Sequence, residues 1–340
     1  MHPLCLLTMR FISLLFCFLS LPLVRAEDAP PITARFITTW GKEGAAPGDF
    51  NIPIGIAINA ADEIFITDHY NSRVQKFDAD GKLLAHFAVL PNPGGIALDG
   101  DRVYLSHFPV SRLTKDIKSP DRMSVYSQNG EFLREWGTTG KGDGQFDFPG
   151  GIAISKAGEV YVADQTNRRV QVFDREGKFL RKWGEYGVQP GQFGGNTNPK
   201  SRVGGPNFIA IGPDGSVFTT EASVGRVQQF SPDGKPLLAW GTLEDKRGGF
   251  GGKFTAFKAS LIGPIGICFD HQDRLWISAV SGRVQCFTRE GRYLGGFGDT
   301  QGKEPGQFYA PHGIAINSKG TVFVVDTYNH RIQKFEIVGK

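Results

Sequence analysis

The chain of 340 residues carries 38 lysines and arginines against 34 aspartates and glutamates, a formal charge of +4. Loss of an N-terminal leader containing Arg10 and Arg25 and no acid would leave about +2, too near neutral for the basic stripe that a nucleic-acid surface needs. Of the four cysteines only Cys268 and Cys286 lie beyond that leader, so stability must come from core burial, which a chain of this length supplies amply.

The leader is residues 1–26. Phe11 to Val24 is an apolar run, and Val24-Arg25-Ala26 places small residues at the two positions a signal peptidase reads. The expectation is a secretory signal cleaved near Ala26, a mature chain of residues 27–340 in a single domain, and an extracellular or periplasmic address. The run is too short for a membrane span and nothing later replaces it, so no span is expected.

From residue 53 onward one phrase recurs six times: a proline opening a Gly-Ile-Ala-Ile-like strand, a second apolar strand, then a third strand written Arg-Val-Gln-x-Phe. The copies begin at Pro53, Pro93, Pro149, Pro206, Pro264 and Pro311, and their third strands open at Arg73, Arg122, Arg169, Arg226, Arg283 and Arg331. In the first five a tight turn follows (Asp80-Gly81, Asn129-Gly130, Glu176-Gly177, Asp233-Gly234, Glu290-Gly291), then a fourth strand ending in an aromatic at Phe87, Trp136, Trp183, Trp240 and Phe297. Four short strands per repeat of this length predict an all-β, six-bladed propeller of antiparallel blades. The sixth copy ends soon after Phe335 without a fourth strand, whereas Arg35 to Gly41 reads like a fourth strand with no blade before it. The N-terminal strand is therefore expected to complete the last blade and close the ring. Cys268 and Cys286 fall on the first and third strands of the fifth blade, two strand spacings apart and out of reach of a disulfide.

Because strands in a blade alternate in direction, first-to-second and third-to-fourth turns share one face of the disc, and they are short. Second-to-third turns and blade-to-blade links share the other, where Ser106 to Asp121, Glu185 to Gly205 and Thr242 to Gly263 are all expanded. Long loops on one face of a rigid scaffold mark the expected binding face. Arg112 lies in the first insertion. The links repeat Gly-Asp/Gln-Phe at Phe50, Phe146, Phe193 and Phe308, a periodicity that suits packing beneath each loop. Phe250, Phe254 and Phe257 fall outside that register and are expected to be exposed and available to a ligand.

An acid stands five residues before the third-strand arginine in four blades: Asp68 with Arg73, Asp164 with Arg169, Glu221 with Arg226 and Asp326 with Arg331. One pair per blade suits a charge-assisted clip. His107 and Ala279 take the acid's place in the other two. His312, following Pro311, should sit at the mouth of the central channel, and His69 and His107 end second strands on the same face. Three imidazoles about one mouth could hold a divalent ion such as zinc or calcium with an open position.

The words Asp164-Gln165-Thr166-Asn167-Arg168-Arg169-Val170-Gln171-Val172-Phe173, Asp326 to Phe335 and Asp68 to Phe77 resemble the NHL repeat family, and the resemblance spans about Phe36 to Phe335. It implies the same propeller; some members bind RNA, which export and the missing basic stripe argue against here. The chain also resembles the propeller of peptidyl-hydroxyglycine alpha-amidating lyases, where histidines after inner-strand prolines bind zinc and a tyrosine assists. Pro311-His312 and Asp68 to Arg73 match those segments, with Tyr70 as the tyrosine and Tyr328 at the equivalent place in the sixth copy. Ile54, Gly94, Gly150, Asn207 and Ile265 supply no further histidine, so His107 or His69 would have to serve. The leading expectation is an exported, monomeric, non-catalytic propeller binding a protein, peptide or small ligand on its long-loop face, without a cofactor. The alternative is a metal-dependent lyase or hydrolase at the channel mouth, with His312, Tyr70 and Tyr328 as catalytic candidates.

Overall fold

A computed structural model describes residues 31–108, 121–195, 204–252 and 263–339. These form six four-stranded antiparallel sheets, each built from one sequence copy, plus two short two-stranded parallel pairs in the links at Thr138–Thr139 with Gln145–Phe146 and Tyr186–Gly187 with Phe193–Gly194. The inner strands run Pro53–Ile58, Pro93–Asp99, Pro149–Ile154, Ile209–Ile211, Pro264–Phe269 and Pro311–Ile316. The first four copies keep their strands in order outward, and the fifth does likewise. The sixth is completed by Thr33–Trp40, which pairs antiparallel with Arg331–Val338, from Thr33 opposite Val338 to Trp40 opposite Ile332.

The closing strand also touches the fifth blade. Ile32 donates to Leu294 O at 3.0 Å and accepts from the Gly296 N–H at 2.8 Å, and a Cβ on Gly295 would fall 1.8 Å from the Ile32 carbonyl. Only glycine lets the chain cross so closely.

Each joint between blades has two parts. The first is aromatic: the last residue of one outer strand, the link phenylalanine and the third-strand phenylalanine of the next blade pack together. Trp40, Phe50 and Phe77 do so at centroid distances of 5.9 and 5.7 Å about Phe77, and Trp136, Phe146 and Phe173 repeat this at 5.8 and 5.6 Å. Phe50, Phe146, Phe193, Phe250 and Phe308 are all fully buried. Phe250, expected to be exposed, therefore belongs to the same register as the others: it packs on Trp240 and Phe287. A Gly-Gly-Phe spelling at residues 248–250 concealed the repeat.

The second part is polar. Arg73 donates through Nε to Asp68 at 2.7 Å and through its other nitrogens to the carbonyls of Ala45, Ala46 and Asp49, all in the link arriving from the previous blade. Asp68 accepts from the Asn51 N–H in the same link, and Gln75 holds both Gly48 N–H and Asp49 O. Arg169 treats Lys141, Gly142 and Gln145 identically, and Arg331 does so with Lys303, Glu304 and Gln307. Buried loop carbonyls must find donors, and the guanidinium fork supplies several at once.

The two departures compensate locally. In blade 5, where Ala279 replaces the acid, the link provides it: Asp245 meets Arg283 at 2.5 Å. In blade 2 the preceding link is only a few residues long and has no phenylalanine, and His107 holds it by donating from Nδ1 to Pro91 O at 2.9 Å, with Nε2 2.6 Å from Ser124 Oγ.

Nearer the axis, strand-two hydroxyls bridge inner strands of neighbouring blades. Thr67 accepts from Gly55 N–H and donates to Gly94 O, and Ser106 does the same between Gly95 and Gly150. Cys268 and Cys286 flank the Trp276 strand and are free thiols, and burial pushes Cys286 up to about 12. No helix among the described residues is long and apolar enough to cross a membrane.

Two outcomes are expected. Deleting residues 32–41 exposes the Arg331–Val338 edge and should produce aggregates by size-exclusion chromatography; an unchanged elution profile with an unchanged melting temperature would refute the closure. Arg169→Ala strands the fully buried Asp164 carboxylate and should cost about 3–5 kcal/mol in denaturant unfolding, whereas Arg122→Ala, whose partner Glu135 is half-exposed, should cost less than about 1 kcal/mol.

Candidate functional site

The inner strands do not run straight into the links. In five blades the register slips just after the proline, between Pro149 and Ile152 for example, so the strand start bends away from its neighbour at the channel mouth. The residue before that proline takes a left-handed backbone: Ile52 at φ 57°, Asn92 at 57°, Phe148 at 63° and Ala310 at 53°. Glycine stands there in the remaining blades, as Gly205 and Gly263. A β-branched isoleucine or a bulky phenylalanine at positive φ is strained, and here the strain turns Ile52 and Phe148 over the channel.

Ile52 and Phe148 line a cavity of about 250 Å³ on the long-loop face. Ile52, Ile54, Phe108, Phe148, Phe208 and Ile265 form its apolar walls, and His69, Tyr70, Gln165, Asn207, His312, Thr327 and Tyr328 supply its polar atoms. The aromatic rings run continuously along one side: Phe148 to Phe108 at 4.4 Å, Phe108 to His69 at 5.1 Å, His69 to Tyr70 at 4.9 Å. Asn207 donates to Gln165 Oε1 at 2.7 Å and accepts from the Ala222 N–H, so both amides help hold the wall.

Among the described residues no carboxylate, ammonium or guanidinium lines the cavity. The histidines are neutral as well. His69 is fully buried, and loss of hydration pushes it down to about 4, with His312 close enough to add to the effect. Burial lowers His312 too. His69 Nδ1 lies 2.9 Å from Pro93 O and His312 Nδ1 lies 2.9 Å from Ala310 O. A carbonyl can only accept, so each Nδ1 carries the hydrogen and each Nε2 is left as a bare lone pair. His69 Nε2 and Thr327 Oγ1 are buried without a hydrogen-bond partner among the described residues. Burial raises the Tyr70 and Tyr328 phenols, Tyr328 to about 12 with Tyr70 and Tyr309 nearby, so both stay protonated at neutral pH.

His69, Tyr70, His312 and Tyr328 thus meet at the mouth. His107 does not: its Nδ1 is spent on the link from blade 1 and its Nε2 on Ser124 of its own blade, and it is fully buried away from the cavity. The expected trio of imidazoles is accordingly broken, and among the described residues no three histidine, cysteine, aspartate or glutamate side chains converge as metal ligands would. Phe250 lies in the core of a joint. Arg112, Phe254 and Phe257 lie outside the described residues. Sequence reasoning missed Phe108, Phe148, Phe208 and Thr327; the glycines at the equivalent places, Gly205 and Gly263, gave no signal of positive φ, because they do not adopt it and are there for close approach, a Cβ falling 1.9 Å from Gln165 O and 2.3 Å from Ala222 O.

Fold and joints together define a six-bladed β-propeller of four-stranded blades, closed by its N-terminal strand. The chain carries NHL repeats: the model of the NHL repeat matches residues 50–77, 146–173 and 308–335. It is similar to Protein brain tumor of Drosophila melanogaster, 29% identical over 136 residues, which are 38% of this chain and 12% of that protein. It is also similar to the B-box type zinc finger protein ncl-1 of Caenorhabditis elegans, 28% identical over 131 residues, 38% of this chain and 15% of that one. The matches thus cover under a sixth of these much longer relatives. Among solved structures, a Bacteroides thetaiotaomicron protein of unknown function matches with a TM-score of 0.64 at 16% identity, over 90% of this chain and 76% of that one. A catalytically inactive virginiamycin B lyase from Staphylococcus aureus with quinupristin matches at 0.53 and 16%, over 91% and 87%. At such identity the likeness is one of fold.

The buried histidines make a pH prediction. In the unfolded chain His107 takes up a proton as pH falls through 6.5, whereas in the folded chain it resists until about 4. The unfolded state then binds more protons between those values, so stability falls on acidification across that window by up to about 3 kcal/mol. His107→Gln should flatten the stability-against-pH slope between 6.5 and 4 by up to one proton, read from denaturant melts at stepped pH; an unaltered slope would show that His107 titrates normally in the fold.

Proposed function

We propose that this chain is an exported, non-catalytic propeller that binds a small ligand, or one side chain of a peptide or protein partner, in the channel mouth on its long-loop face. The observation that carries the reading is the mouth cavity itself, a neutral aromatic hollow rimmed by residues held at strained backbone angles and containing a buried imidazole nitrogen without a partner. Strain and an unsatisfied buried polar atom both cost stability, and they cluster where binding is selected. Polar edges and an apolar floor are the usual make-up of ligand sites. Export rests on the leader at residues 1–26.

Screening a fragment library against residues 27–340, with hydrogen exchange to locate the hits, tests the site. Protection should fall on His69, Tyr70, Phe108 and His312. Phe148→Asp, which puts a charge into the cavity wall, should weaken the hits by at least about tenfold, and Lys319→Ala on the opposite face should leave them unchanged. Hits that map to the short-turn face would overturn the assignment. Export is tested by N-terminal sequencing of the secreted product, which should begin at Glu27.

A further inference from the structure

The chemistry of the mouth selects among ligands, and the selection rests on the binding role proposed above. We propose that the cavity takes a neutral ring compound of phenolic type: a flat apolar body carrying one or two O–H donors. The walls are predominantly isoleucine and phenylalanine, and the arc of Phe148, Phe108, His69 and Tyr70 offers ring faces for stacking. About 250 Å³ is smaller than a typical drug-sized pocket and suits a single ring.

The polar atoms set the sign of the hydrogen bonding. With Nδ1 committed to a carbonyl in both histidines, His69 and His312 present Nε2 lone pairs, which only a donor can satisfy. Thr327 Oγ1 adds one adaptable hydroxyl. The Gln165 and Asn207 amides are engaged with each other and with Ala222 N–H. The Tyr70 and Tyr328 hydroxyls and Gln165 Nε2 are further polar atoms of the lining, but its walls are mostly apolar, so a polyol with a hydroxyl on nearly every carbon would lay several of them against isoleucine and phenylalanine. Among the described residues of the lining an anion meets no cationic side chain and a cation no carboxylate. A phenol fits on both counts: its O–H reaches an imidazole acceptor, and its ring displaces water from the apolar wall.

The experiment is titration calorimetry of residues 27–340 at neutral pH with para-cresol, para-methylanisole, methyl glucoside and zinc chloride as separate probes. Cresol should bind, and its methyl ether, which keeps the ring and lacks the donor, should bind about tenfold more weakly. His69→Phe and His312→Phe should each weaken cresol about tenfold and leave the ether unchanged; His312 is half-buried, so its variant stands should the His69 variant fail to fold. Equal affinity for cresol and its ether, or no cresol binding at millimolar concentration, would overturn the proposal. Methyl glucoside binding more tightly than cresol would sink the phenolic class and leave the mouth as the binding site. Zinc binding that is lost in His312→Phe would assign the lone pairs to a metal and overturn the proposal too. The broader reading fails separately, when fragment hits map to the opposite face.

Discussion

A ring of blades has no axis to hang from, so everything depends on the joint between one sheet and the next. Here the joint is an arginine that leaves its own blade to hold the carbonyls of the incoming link, with a buried acid beneath it and an aromatic trio beside it. The acid, the arginine and the glutamine of the repeated word all point at the same loop, which explains why they travel together in the sequence. A buried ion pair alone adds little net stability. This one is different in purpose, because its spare donors satisfy backbone groups that would otherwise be stranded where two sheets meet.

The rigidity of the joints is what permits the mouth. Two rim residues, Ile52 and Phe148, sit at positive φ, a backbone that costs roughly 1–2 kcal/mol for each non-glycine residue. Such angles persist only where the surroundings over-determine them, and each rim residue is followed by a proline and preceded by a link the clip has already fixed. The joint between blades 1 and 2 shows the same logic with other atoms. Its link is too short for a phenylalanine, and a histidine with two committed nitrogens takes over from the carboxylate.

Most of the architecture was legible because a repeat reports a structural requirement several times over. Blade number, strand order and ring closure all follow from copies that agree, and from one copy that lacks its last strand. Legibility failed where a position is read once. Phe250 looked exceptional because two glycines precede it, yet the joint accepts glycine there and keeps the phenylalanine in place. His107 looked like a ligand because it replaces an acid, but a side chain that inherits a position also inherits its neighbours, and those neighbours were loop carbonyls. The mouth itself was half visible. His69, Tyr70, His312 and Tyr328 stand at places the repeat defines, whereas the walls at Ile52 and Phe148 depend on left-handed backbone angles that no residue type in the repeat announces.

The closing strand also has a mechanical side. Thr33 and Val338 face each other at the same end of the last ladder, on the short-turn face, so tension between the two ends would load its hydrogen bonds one after another, as in a zipper, and not all together in shear. Heat must melt joints distributed round the whole ring. A pull has to break the two Ile32 bonds to the fifth blade and then one pair of the ladder at a time, until the strand peels back to Trp40 and frees the sixth blade. The same ring therefore has one route of unfolding under heat and another under a force drawn along one line.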